Sequence, residues 1–129
     1  MKRPILRATV FSALCLLGTL SPACAAEEEN AGKVAFNNAC RTCHSMKEGD
    51  NRLGPTLHGV VGRKAGSVAG YKFSSAMQGA GITWDDATLD KFITNPETVV
   101  HGNNMKPFGG VADAAERSKI ITYLKTLTD

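Results

Sequence analysis

Beyond residue 25 the 129-residue sequence has no long apolar run, no repeat and no low-complexity tract. No membrane-spanning helix is expected there, since a span needs about 20 apolar residues. Apolar–polar alternation is weak throughout, which argues against a sheet-based architecture. No second cysteine pair accompanies Cys40 and Cys43, so a four-ligand zinc site would lack half its donors. No acid–base pair stands out for catalysis, and the sequence reads as a non-enzyme.

Net charge is missing too. The formal +3 of the whole sequence disappears once Lys2, Arg3 and Arg7 are set aside, because every acid lies after them. A neutral chain has no basic field for nucleic acid, which is excluded as a partner. Charge is unevenly distributed instead. Residues 41–72 carry six bases against Glu48 and Asp50, and residues 85–97 carry four acids against Lys91. This asymmetry could orient docking.

The N-terminus has the grammar of an export signal. Lys2, Arg3 and Arg7 form a basic region, residues 8–20 an apolar one, and Ala23-Cys24-Ala25 a small-residue cleavage site. Residues 1–25 are therefore expected to be a cleaved signal peptide, placing residues 26–129, one domain by length, in the periplasm. A lipidated Cys24 is the rival reading, but Ser21-Pro22-Ala23 lacks the leucine that usually heads such a signal. Cleavage removes Cys15 and Cys24 and leaves no thiol for a disulfide beyond Cys40 and Cys43.

Those two cysteines lie in Cys40-Arg41-Thr42-Cys43-His44, the attachment signature of a c-type haem. Residues i and i+3 of a helix share a face, so both sulfurs can bond one porphyrin edge while His44 turns its imidazole towards the iron. The motif predicts one covalent haem c. The alternatives, a dithiol redox centre or half of a zinc site, do not explain the adjoining histidine.

The remaining pattern is helical at both ends around a glycine-rich middle. Asn30 is the expected N-cap of a first helix running to about Cys43, with Gly32, Phe36 and Cys40 along one face. Residues 54–70, with five glycines and Pro55, read as loops. A short helix is expected over residues 74–77. Asp85 or Asp86 caps another, buried through Leu89, Phe92 and Ile93, and Asn95-Pro96 ends it or opens the next turn. A capping box, Asp113-Ala114-Ala115-Glu116, starts a last helix whose apolar face is Ile120, Ile121, Leu124 and Leu127. The fold class is all-α, with long loops around the haem.

The sixth iron position decides the function, because His/Met ligation suits electron transfer and an open position suits ligand sensing or peroxidatic chemistry. Candidates are Met46, Met77, Met105, His58 and His101. Met46 is too near His44 to reach the opposite haem face, and the histidines read as surface residues. Met105 lies in His101-Gly102-Asn103-Asn104-Met105-Lys106-Pro107, a loop between helices that can wrap the far side. Its soft thioether favours ferrous iron.

From Gly32 to Leu127 the sequence resembles a class I cytochrome c of the soluble bacterial electron-carrier type. Gly32 and Phe36 precede CxxCH as in that family, Gly54-Pro55 follows it, and Gly81-Ile82-Thr83-Trp84 and Asn95-Pro96 stand in the family order. Ile120 and Tyr123 match the C-terminal helix face that crosses the first helix near Gly32. The resemblance implies that the Pro55 carbonyl orients the His44 imidazole, that Trp84 bonds a haem propionate, and that Arg63 lies near the propionates. It also implies a monomeric one-electron carrier, with a membrane-bound quinol:cytochrome c oxidoreductase as donor and an oxidase, reductase or reaction centre as acceptor. The sequence departs from many relatives at Phe73 and Phe92, which replace tyrosines, and from mitochondrial relatives at Glu97 and Thr98, which replace docking lysines.

Overall fold

The computed structural model describes residues 22–127. Its helices are α1 (Pro22–Ala39), α2 (Ser75–Gln78), α3 (Asp86–Thr94), α4 (Pro96–Val99) and α5 (Ala114–Lys125). Among the described residues the one β-type pairing is an isolated antiparallel bridge between Lys64 and Thr83, so the all-α expectation holds. The basic and apolar parts of the expected signal peptide, with Cys15, lie outside the described residues.

The first helix differs from expectation at both ends. Asn30 lies inside α1 rather than capping it, because the upstream alanines and glutamates are strong helix formers. The helix stops at Ala39, short of Cys43. The Phe36 carbonyl accepts from both the Cys40 N–H (2.8 Å) and the Arg41 N–H (3.2 Å), the latter a six-to-one bond of the kind that closes helices.

α1 crosses α5 at Gly32. A Cβ there would lie 2.7 Å from the Lys119 carbonyl oxygen and 2.8 Å from the Tyr123 Cβ, so only glycine permits this approach. One turn on, the Phe36 and Tyr123 rings meet with centroids 5.5 Å apart. Ile120 and Leu124 are the most deeply buried large side chains, at 1% and 2% exposure. Burying side chains of this kind stabilises by about 1.5–3 kcal/mol each. Leu127, expected on this face, lies past the helix end and is half-buried. Its carbonyl instead accepts the Gly59 N–H at 2.9 Å, tying the glycine-rich loop to the C-terminus.

α3 begins where expected. The Asp85 carboxylate accepts from the Thr88 N–H (2.7 Å), and the Thr88 hydroxyl accepts from the Asp85 N–H (2.8 Å). Leu89, Phe92 and Ile93 are buried. Asn95 serves both neighbouring helices, donating its N–H to the Lys91 carbonyl and accepting the Glu97 N–H on its side chain. α5 shows only one arm of the expected capping box. Asp113 accepts the Glu116 N–H at 2.8 Å, but the Glu116 carboxylate pairs with Lys119. An unforeseen residue joins these helices: Arg117, only 9% exposed, donates to Asp90 of α3 at 2.7 Å and to the Val111 and Ala112 carbonyls.

Candidate functional site

The helix end at Ala39 puts the cysteine motif in a turn. The Cys40 carbonyl accepts from the Cys43 N–H (3.1 Å) and the His44 N–H (3.0 Å), and this turn, rather than a continuing helix, brings Cys40, Cys43 and His44 to one cavity wall. Cys40 is buried. Burial, and secondarily the charge of Cys43, pushes its thiol up to about 11. A thiol held protonated in this way is a poor attacking nucleophile. Among the described residues no cluster of three His, Cys, Asp or Glu could hold a metal ion, so zinc has no support.

His44 is 6% exposed, and its Nδ1 lies 2.7 Å from the Pro55 carbonyl oxygen. A carbonyl only accepts, so Nδ1 carries the hydrogen and Nε2 keeps its lone pair. Burial lowers the His44 pKa, the Pro55 bond opposes that shift, and the Arg63 charge adds to the lowering. The imidazole is thus held neutral with a free donor nitrogen, the form that binds a metal. Gly54 lies flat against the ring. A Cβ there would be 2.6 Å from Nδ1 and 2.9 Å from Nε2, so any larger residue would displace the imidazole.

The cavity beside this group has a volume of about 330 Å³. A single-residue packing defect leaves about 150 Å³, so this is a built space. Phe73, Trp84, Phe92 and Leu124 supply apolar wall, and Met105 lines it from the loop after α4. Two thiols, a neutral buried imidazole and a thioether around an apolar space form a donor set that fits a porphyrin iron linked through thioethers.

The other predicted residues divide clearly. Trp84 is buried and packs on Phe92 with centroids 5.0 Å apart. Arg63 is half-buried, lines the cavity and donates to the carbonyls of His58 (2.8 Å) and Thr56 (2.9 Å), so it is no solvated loop charge; burial lowers its pKa. Met46 lies away from the cavity, in a separate cleft with Lys33, Arg41 and Arg52. His58 and His101 are also absent from the cavity wall, and His101 is exposed beside Glu97. Met77 does line the cavity, but from α2 as a buried core residue.

Tyr71 is a wall residue that no sequence pattern marks. It packs edge-on against Phe73, with centroids 4.8 Å apart, and donates its hydroxyl to the Leu53 carbonyl at 2.7 Å. The glycine-rich loop gives no periodicity from which to infer such a contact. Met105 is positioned by Asn103, whose side-chain oxygen accepts the Met105 N–H at 2.8 Å.

Comparison with known proteins bears on this arrangement. The model of the family described as Cytochrome c matches residues 29–128. The chain is 47% identical over 88 residues to cytochrome c2 iso-2 of Magnetospirillum fulvum, covering 68% of this chain and 91% of that protein. It is 44% identical over 98 residues to cytochrome c of Euglena viridis, covering 76% and 95%. Among solved structures, cytochrome cH from Methylobacterium extorquens superposes with a TM-score of 0.70 at 43% identity, covering 76% of this chain and 97% of that one.

Proposed function

Because this chain belongs to the cytochrome c family, we propose that it is a periplasmic one-electron carrier whose haem is held by Cys40, Cys43, His44 and Met105. A covalently bound haem c comes with family membership, as does the role of electron carrier. The group supplies a single electron exchanged between Fe(II) and Fe(III). The chain's own residues do the rest. Cys40 and Cys43 would anchor the group covalently, the Pro55 carbonyl fixes the His44 ring so that Nε2 could meet the iron, and Met105 would supply a thioether donor. Apolar walls would exclude water, and Trp84 and Arg63, which line the cavity, would face the propionates.

One observation carries this reading: His44 Nδ1 is committed to Pro55 at 2.7 Å, beside a cavity that Cys40, Cys43 and Met105 also line. The alternative with an open distal position is not favoured, since the relatives are cytochromes c2 and cH. The protein turns over no substrate of its own. Among the described residues no helix is long and apolar enough to cross a membrane, and in this reading residues 1–25 direct export and are cleaved afterwards.

Its partners are redox proteins. The proposed donor is a membrane-bound quinol:cytochrome c oxidoreductase of a respiratory chain, and the acceptor an oxidase, reductase or reaction centre. Arg41, Lys47 and Lys106 are exposed and would present positive charge. The acidic stretch is partly neutralised internally, since Asp86 pairs with Lys125 and Asp90 with Arg117.

The test is a denaturing gel of the periplasmic fraction stained for haem. A stained band at the mass of residues 26–129, lost in the Cys40→Ala, Cys43→Ala double variant, supports the reading. Haem that extracts into acidified organic solvent would overturn covalent attachment.

A further inference from the structure

Glu97 lies in the first turn of α4, and its carboxylate reaches across to the loop that carries Met105. One carboxylate oxygen accepts the Gly102 N–H at 3.1 Å, and the other accepts the Asn103 side-chain N–H at 3.0 Å. Asn103 is 3% exposed. Its second side-chain N–H goes to the Val100 carbonyl at 2.9 Å, and its oxygen accepts the Met105 N–H at 2.8 Å. These partners fix the amide orientation, because a flipped amide would set N–H against N–H at Met105 and oxygen against oxygen at Glu97 and Val100.

Glu97 is itself anchored, its N–H bound by the Asn95 side chain at the start of α4. His101 Nδ1 lies 2.8 Å and Lys106 Nζ 3.6 Å from its oxygens. One carboxylate thus closes the loop that carries Met105 and bridges to Met105 through a single buried amide. We propose that Glu97 is a positioning residue, a latch that acts through Asn103 to hold Met105 against the cavity. The proposal rests on Met105 being the iron ligand.

The chemistry favours a persistent latch. The Gly102 N–H, opposed by a burial penalty and aided by Lys106 and His101, holds the Glu97 carboxyl below the usual carboxylate range. It therefore stays ionised through neutral pH. Removing it leaves one N–H of the buried Asn103 without its acceptor, and opening the loop to water relieves that loss.

The test uses the oxidised holoprotein and imidazole as the probe. Loss of the far-red sulfur-to-iron absorption band, at imidazole concentrations where the rate is saturated, reports release of Met105. Glu97→Ala should keep the band at rest but release Met105 about fivefold faster or more. Glu97→Gln keeps one accepting oxygen and should fall between, whereas a pure charge effect would make it equal to alanine. In a Glu97→Ala, Asn103→Ala double variant, release should be no faster than in Asn103→Ala alone. Parental release rates in Glu97→Ala, or equal rates for the alanine and glutamine variants, would overturn the latch. A parent protein without the band would remove Met105 as ligand, and the latch with it.

Discussion

His44 Nδ1 and the Pro55 carbonyl oxygen are 2.7 Å apart, and this contact defines the chemistry of the cavity. It spends the one ring hydrogen on the backbone and leaves Nε2 as a lone-pair donor. It also sets the ring plane, which Gly54 can lie against only because it has no side chain. A hydrogen bond of this kind tunes a metal ligand as well as orienting it.

The crossing of α1 and α5 predicts the effect of Gly32→Ala. In an open helix position this change would stabilise by about 1 kcal/mol. Here the new Cβ would press on the Lys119 carbonyl and the Tyr123 Cβ at 2.7 and 2.8 Å, so the helices must separate. The expected loss is about 1–3 kcal/mol in denaturant unfolding. A more stable variant would show that the crossing is loose.

Arg117→Ala should cost roughly 2 kcal/mol, because it leaves the Val111 and Ala112 carbonyls and the Asp90 carboxylate without their donor. Val111 donates its N–H to the Ile93 carbonyl at 2.9 Å, so hydrogen exchange at Val111 should speed up as well. Arg117→Met, which retains stem packing, should recover part of the stability. Unchanged exchange at Val111 would mean that Arg117 does not hold this segment.

Much of the helical frame was legible because its signals are local. Asp85 with Thr88, Asn95 before Pro96 and Asp113 are caps readable from side-chain chemistry, and Leu89, Phe92 and Ile93 repeat at helical spacing. The α1 start is not legible in this way, because Asn30 has the chemistry of a cap but a helix-favouring run precedes it and carries the helix back to Pro22. The cysteine motif pointed to Cys40, Cys43 and His44 through fixed spacing, and the fold brings all three to one cavity wall. Tyr71 and the Glu97–Asn103 relay were illegible, since they depend on where loops fold in space. Arg117 was hidden for another reason: a charged residue gives no sign of burial until its partners on α3 and the preceding loop are in place.

Asp85 gives a pH dependence with a definite sign. The Thr88 N–H, and next its hydroxyl, hold the Asp85 carboxyl below its ordinary value. A depressed folded pKa adds stability that is full above the unfolded value of about 3.9 and is lost as pH falls through the lower folded value. The stability gap between the parent and Asp85→Ala should therefore be constant near neutrality and shrink below about pH 4. Asp85→Asn, which caps without a charge, should not show this pH-dependent component. A gap unaffected by acid would mean that the carboxylate is not the capping form.

The most direct measurement is the far-red absorption of the oxidised holoprotein in three forms: parent, Met105→Ala and Met77→Ala. Both methionines line the cavity, but Met77 is a core residue on α2 and Met105 is presented by a loop. The account predicts a sulfur-to-iron band in the parent and in Met77→Ala. It predicts no band in Met105→Ala, together with a lower reduction potential and an iron open to carbon monoxide. A band that survives in Met105→Ala, or vanishes in Met77→Ala, would contradict the assignment of Met105.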